Sequence, residues 1–325
     1  MLPNPELKRW MANPLSRVRS IAQVRQVRSA WASSPSIAGL DGALDAADGD
    51  PDRVTAIGAS LLQMPDLAQS LFTDALRAID RDPFFTPPFS GASAAMGESV
   101  RLFEHRDLTM SLVLVHADSI GAKATRENSE ARSVTFTGTL TLRRVLRSGG
   151  GVIQRYSATP ADDCLSLATH PAASKGDAEA LSEDQLLIVD GRSESVAFVY
   201  AHSAILYLEC EILAGCAPYC VKYDSRDLRP VAAATTDQCA SRCQLMMSAL
   251  TALGGTTDPS TYRRLMASKS FEVRWHSVRE LMAVDPDRAW DCLAVLAAND
   301  RHPEIRSAAR QMLTARSEES SACLA

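Results

Sequence analysis

The segment SVTFTGTLTLRR (133–144) decides the fold class. Within it Val134, Phe136, Leu140 and Leu142 alternate with Thr135, Thr137, Thr139 and Thr141, which sends apolar and hydroxylated side chains to opposite faces. A period of two is the mark of a strand. Similar short runs occur at 99–104, 108–116, 151–158, 185–190, 195–201, 204–213 and 218–223, separated by Gly, Asp, Ser or Pro. Together they predict eight strands with no helices between them, which favours an antiparallel sandwich or jelly roll over a parallel sheet.

On both sides of this region the apolar period is helical. Leu15, Val18, Ile21, Val24, Val27 and Trp31 recur every three or four residues, and 50–64 and 65–79 repeat the pattern with Pro near each start. The stretch RDPFFTPPFSG (81–91), with three prolines and three phenylalanines, marks a boundary. Helical spacing returns at 235–255, where Thr235 or Thr236 caps the start, Cys239, Cys243, Met246 and Leu250 make an inward stripe, and Gly254–Gly255 ends the helix. The resulting division is a helical segment 1–80, a β domain 81–235 and a helical domain 236–325, with 316–325 read as a frayed tail.

The 325 residues, 46% hydrophobic and 22% charged, suffice for several cores. The longest apolar stretches, 108–116 and 204–213, are far shorter than the roughly 20 residues of a membrane span, and the N-terminus lacks an uninterrupted apolar signal core. A cytoplasmic protein that does not enter a membrane is expected. Its eight cysteines, spread over a long chain, read as reduced thiols. The net charge of −5 conceals a basic head: residues 1–31 hold six Lys or Arg and one acid. An arginine-rich helix there reads first as a solvated face, and second as a site for nucleic acid or an acidic partner.

The C-terminal region contains a self-similarity: EVRWHSVREL (272–281) returns as EIRSAARQML (304–313), pairing Val273 with Ile305, Arg274 with Arg306, Ser277 with Ala309 and Leu281 with Leu313. With a helix between them and an Asp-Arg-His-Pro turn, residues 258–315 resemble short HEAT-like repeats. That resemblance implies that Arg274 and Arg306 tie neighbouring helices through turn carboxylates, with Asp285 and Asp300 as partners. Two units cannot bury both their faces and must lean on another element. The β region, through 135–152 and 182–211, resembles a cupin-type jelly roll, so the fold class expected is α+β. Metal-binding members of that family carry two histidines one residue apart. No His-x-His occurs here.

Where that motif would fall, the chain has threonines and arginines, which cannot provide neutral imidazole ligands. Arg143, Arg144 and Arg155 are instead candidates to line the barrel mouth. Two other constellations are candidates for metal sites. His105 and His116, with Glu104 and Asp107, would converge if 99–104 and 108–116 form a hairpin. Cys216, Cys220, Cys239 and Cys243 would need to gather at the β-helical junction, and core packing is the simpler reading of those thiols. No cofactor is expected. No G-x-S-x-G, P-loop or G-x-G-x-x-G is present, so the chain leans away from catalysis. The expected function is a non-enzymatic accessory role, in which Trp275, Arg279 and Arg310 on the helical repeat contact a protein or peptide. The alternatives are a cupin-type enzyme or small-ligand sensor using the barrel, and a nucleic-acid binder using the basic head.

Overall fold

The computed structural model describes residues 5–35, 37–64, 67–82, 85–87, 89–94, 96–125, 133–254 and 258–322. Their contacts divide the chain into two compact units, 1–134 with 139–157 and 174–216, and 135–138 with 158–173 and 217–325.

The first unit begins with five helices, α1 (Pro5–Ala12), α2 (Pro14–Ala32), α3 (Leu40–Ala47), α4 (Pro51–Leu62) and α5 (Leu67–Arg81). Capping follows the residues supplied: Asn13 and Asp50 accept from the first-turn amides of α2 and α4, each followed at once by proline. Strands β1 (Gly91–Ala94), β2 (Gly97–Glu104) and β3 (Leu108–Val115) come next, then α6 (Ala117–Thr125), which lies among the expected strands. Further along are β4 (Ser133–Phe136), β5 (Leu140–Arg147), β6 (Val152–Ser157), β7 (Ser174–Ala180), β8 (Leu186–Asp190), β9 (Glu194–Tyr200) and β10 (Ile205–Ile212). The segment read as one strand over 133–144 is therefore two. It breaks at Gly138, whose φ of +78° lies in the left-handed region and whose missing Cβ would sit 2.8 Å from the Tyr219 carbonyl oxygen.

A six-stranded sheet runs β1-β2-β3-β10-β5-β8 and a three-stranded sheet runs β7-β6-β9, with every recorded pairing antiparallel. Counting β3 to β10 as strands one to eight, the sheets read 1-8-3-6 and 5-4-7, the interleaving of a jelly roll. Strand two, β4, joins a different sheet, β12-β11-β4, with β11 (Tyr219–Asp224) and β12 (Pro230–Thr235).

Both faces of the central strands of the large sheet are buried. Leu108, Met110, Leu142, Leu208, Cys210 and Ile212 form one core with Leu40, Leu44, Val54, Leu61 and Leu62 of the N-terminal helices. Val115, Val145, Leu187, Val189, Ile205 and Tyr207 join Ile153 in a second core. The helical segment 1–80 thus shares its core with the sheet. The Pro- and Phe-rich boundary contributes Phe85, buried with Val27 and Ala78, and Phe89 packed beside them; Pro83, Phe84 and Pro88 lie outside the described residues.

In the second unit, helices α7 (Gln238–Ala252), α8 (Pro259–Leu265), α9 (Phe271–Val284), α10 (Pro286–Asn299) and α11 (Pro303–Ala322) share a core of Met247, Tyr262, Val273, Val278, Leu281, Leu293, Leu296 and Ile305. The segment 316–322, expected to fray, continues α11; residues 323–325 lie outside the described residues. Asp237, and neither Thr235 nor Thr236, caps α7. The face of α7 that packs is Ala240, Cys243 and Met247, whereas Met246 and Leu250 are exposed, so the helix is turned from the orientation expected. Gly254 ends it at φ +67°, as anticipated; Gly255 lies outside the described residues.

Arg274 is buried and donates to both carboxylate oxygens of Asp300, at 2.7 and 2.8 Å, and to the carbonyls of Ser268 and Lys269. Arg306, its counterpart in the sequence repeat, donates to the backbone carbonyls of Asp300 and Arg301, and Asp285 instead caps α10. Burial acts to raise the Asp300 pKa, but the hydrogen bonds from Arg274 and the His302 amide, with the Arg274 charge, outweigh it and hold the carboxyl below its usual range.

Two stability outcomes follow from these contacts. A Cβ at Gly58 would lie 3.2 Å from the terminal methyls of Leu108 and Ile212, so Gly58→Val should lower unfolding free energy by about 1–3 kcal/mol in urea titrations. Because the folded Asp300 pKa is depressed, its stabilisation is present above the ordinary carboxylate range and is lost as pH falls through the folded value. Asp300→Asn should cost about 3–5 kcal/mol at neutral pH and flatten the acid limb of the stability curve.

Candidate functional site

Strand alternation decides which side chains enter the jelly roll. On β5, Leu140 and Leu142 face the N-terminal helices, so Thr141, Arg143 and Val145 take the opposite face with Tyr207, Glu209 and Glu211 of β10. Arg143 pairs in register with Glu209 and donates to it at 2.6 Å, its guanidinium carbon 5.5 Å from the centre of the Tyr207 ring. Thr139 donates to Glu211 at 3.0 Å. Burial disfavours the charge on Arg143, yet Glu209 beside it, aided by Glu211, raises its pKa overall. Burial pushes the Tyr207 hydroxyl up to about 12, against the opposing pull of Arg143. The cation of this polar interior, Arg143, is already engaged by a carboxylate.

The other barrel candidates divide. Arg155 lies on the face of β6 that carries Ile153 and forms ion pairs with Glu179 at 2.8 Å and Glu194 at 3.8 Å. Arg144 lies on the helix side of the sheet, donating to the Leu62 carbonyl and to Asp184, and lines a pocket of about 270 Å³ with Gln63 and Leu186. It does not line the barrel because it is one residue out of phase with Arg143.

The expected hairpin of β2 and β3 forms, but it separates the two histidines. His105 is at the turn, near Asp45 and Asp107, and His116 is at the far end of β3 near Glu98, roughly 25 Å away at strand spacing. Among the described residues no three His, Cys, Asp or Glu side chains converge as metal ligands. The seven described cysteines are free thiols; Cys239 and Cys243 are in contact on α7, where Cys239 is exposed and Cys243 is half-buried against the helical core. None of the described helices is long and apolar enough to cross a membrane.

Of the residues expected on the repeat surface, Trp275 is half-buried in the helical core and Arg310 donates to the Ala297 carbonyl at the end of α10. Only Arg279 is exposed without a recorded hydrogen bond among the described residues. The surface that does present apolar side chains is on α7: Leu245 is 71% exposed, Met246 58%, Leu250 43% and Leu253 83%. They adjoin the packed residues Ala240, Cys243 and Met247 along one side of the helix, Leu250 falling seven residues from Cys243 on the same face, with exposed Arg242 among them. The expected stripe of Cys239, Cys243, Met246 and Leu250 is covered only along its Cys243 edge, because an amphipathic pattern does not say how far a neighbouring helix reaches across it.

The basic head also has a concavity, about 470 Å³, lined by Trp10, Arg17, Ile21, Val24, Arg25 and Arg28. Leu15, Val18 and Ile21 stand exposed among these arginines, a pattern that phosphate contacts alone do not require.

No protein-family profile matches this chain, and no curated protein does. Solved structures do match. A conserved protein with a double-stranded β-helix domain from Klebsiella pneumoniae is 10% identical, covering 39% of this chain and 84% of its own, at a TM-score of 0.24. Ectoine synthase from P. lautus is 11% identical, covering 45% and 84%, also at 0.24. The capsular polysaccharide assembling protein CapF from Staphylococcus aureus is 13% identical, covering 52% and 38%, at 0.25. At such scores the likenesses add no argument about activity. The α+β jelly-roll class rests on the strand order itself.

The Arg143–Glu209 pair has a separable energetic signature. Arg143→Met strands Glu209 and should cost about 2–4 kcal/mol, whereas Arg143→Met with Glu209→Leu should recover most of that loss in the same urea titration.

Proposed function

We propose that this chain is a recognition protein that docks an amphipathic helix of a partner protein onto α7. The observation carrying this reading is the exposed apolar stripe Leu245, Met246, Leu250 and Leu253. A free helix face of this kind is costly to leave in water and usually marks an interaction surface. In stacked helical architectures such a face is covered by the next helix, and Arg242 within the stripe calls for a carboxylate on the incoming helix. The sequence resemblance to HEAT-like repeats supports the same reading, with α7 in place of Trp275 and Arg310 as the contact surface. Of the residues expected there, Arg279 remains available at the rim.

The barrel supports this reading indirectly, since Arg143 and Arg155 are each taken by glutamates of the fold. Affinity capture with the full chain should be run in parallel with Leu245→Glu/Leu253→Glu, whose exposed positions leave melting unchanged. A protein recovered by the wild type and lost with the double variant, whose amphipathic helix as a synthetic peptide binds the wild type and not the variant, supports the proposal. Equal recovery overturns it, as does a concentration-dependent dimer of the purified wild type that the variant abolishes, which would make a second copy the occupant.

A further inference from the structure

A cleft of about 420 Å³ lies within the second unit, walled by the loop at Asp163 and Cys164, by Pro218, Tyr219 and Thr235, and by the starts of three helices. Asp237 caps α7, Ser270 caps α9 with Lys269 just before it, and Arg301 and His302 precede α11 at Pro303. The volume suits a small molecule.

His302 makes this cleft more than a gap between helices. It is 1% exposed, stacks on Phe271 with ring centres 3.9 Å apart, and its Nε2 lies 3.2 Å from the Leu165 carbonyl. A carbonyl oxygen can only accept, so Nε2 carries the hydrogen and donates. Nδ1 is buried and has no hydrogen-bond partner. A buried ring nitrogen of this kind is costly unless a ligand completes it. In the tautomer that Leu165 selects, a neutral ring offers a lone pair at Nδ1 and asks for a ligand N–H.

The charges around it are mixed and only partly spent. Arg274 is held by Asp300, Asp237 accepts from the Cys239 and Ala240 amides, and Glu272 accepts from the Ser270 hydroxyl. Lys269 and Arg301 have no recorded side-chain partner among the described residues, and each stands just before a helix start, where the backbone dipole adds to its attraction for an anion. Asp163, exposed on the loop that lines the same cleft, likewise has no recorded partner among the described residues, so cationic and anionic contacts are both on offer. Tyr219 and Phe271, 5.8 Å apart, supply an aromatic wall. Burial, reinforced by the charges of Glu272 and Asp163, keeps the Tyr219 hydroxyl protonated well above the usual tyrosine range.

We infer that this cleft binds a small zwitterion of the amino-acid class with a planar side group. Its carboxylate meets Lys269 and Arg301, its ammonium meets Asp163 and the His302 Nδ1 lone pair, and its ring lies against Tyr219 and Phe271. A simple anion leaves Asp163 and Nδ1 unmatched, and a simple cation leaves Lys269 and Arg301 unmatched.

Calorimetric titration of the full chain with L-phenylalanine tests this, beside phenethylamine and 3-phenylpropionate, which lack the carboxylate and the ammonium respectively. Each truncated probe should bind about tenfold or more weakly than L-phenylalanine, the equivalent of one charge-assisted contact. Lys269→Ala/Arg301→Ala should weaken L-phenylalanine by about tenfold and leave phenethylamine unchanged, whereas Asp163→Asn should weaken L-phenylalanine and phenethylamine alike. These positions lie at the cleft wall outside the helical core, and unchanged melting verifies that the variants fold. Absence of saturable heat with L-phenylalanine at millimolar concentration overturns the inference. So does equal binding of all three probes, or full L-phenylalanine binding by the Lys269→Ala/Arg301→Ala variant. The wild-type result should persist in Leu245→Glu/Leu253→Glu, which separates this site from the α7 surface.

Discussion

The large sheet must be covered on both faces, and most of the first unit follows from that requirement. Its central strands carry apolar side chains in both directions: Leu142, Leu208 and Ile212 on one side, Val115, Val145 and Tyr207 on the other. An antiparallel sheet commonly leaves one face to water, with clean alternation. Here α3 and α4 occupy one face, close enough that residue 58 is glycine, and the smaller sheet occupies the other. Only then does a polar group such as Arg143 lie away from water, and only then must it carry its own counter-ion.

That constraint also explains what was legible in the chain. The strands with visible alternation were found, and so was the α+β jelly-roll class. Runs such as 108–116 and 204–213 were recognised as apolar, but a strand buried on both sides reads as continuous hydrophobicity, which does not say what lies over each face. The union of the N-terminal helices with the sheet was therefore invisible. So was the break at Gly138, because Thr137-Gly138-Thr139 keeps the period of two while the backbone turns. Polar β7, with no residue fully buried, carried no signal at all.

The candidate sites show the same division. A one-residue phase difference put Arg143 inside and Arg144 outside, a distinction that needs register. The repeat resemblance named Arg274 and Arg306 with Asp285 and Asp300 but left the pairing open, because the turn that directly follows the Arg274 helix holds Asp285 and the partner, Asp300, lies one helix further on. The cleft was not legible. Its walls come from residues near 163, 219, 235, 270 and 302, and their meeting is a property of packing. The nearest sequence signal is the Asp-Arg-His-Pro turn, which sets a histidine beside a helix start.

The path of the chain has a genetic consequence. Residues 135–138 and 158–173 belong to the second unit although they are encoded in the middle of the first. No single cut in the gene separates the two. A fragment ending near 216 retains two orphaned segments of the second unit, and a fragment beginning near 217 lacks Asp163, Cys164 and Leu165. The units are interleaved in sequence, so recombination or insertion between about 135 and 216 falls among segments of both, and a graft of either unit must carry its inserted pieces along.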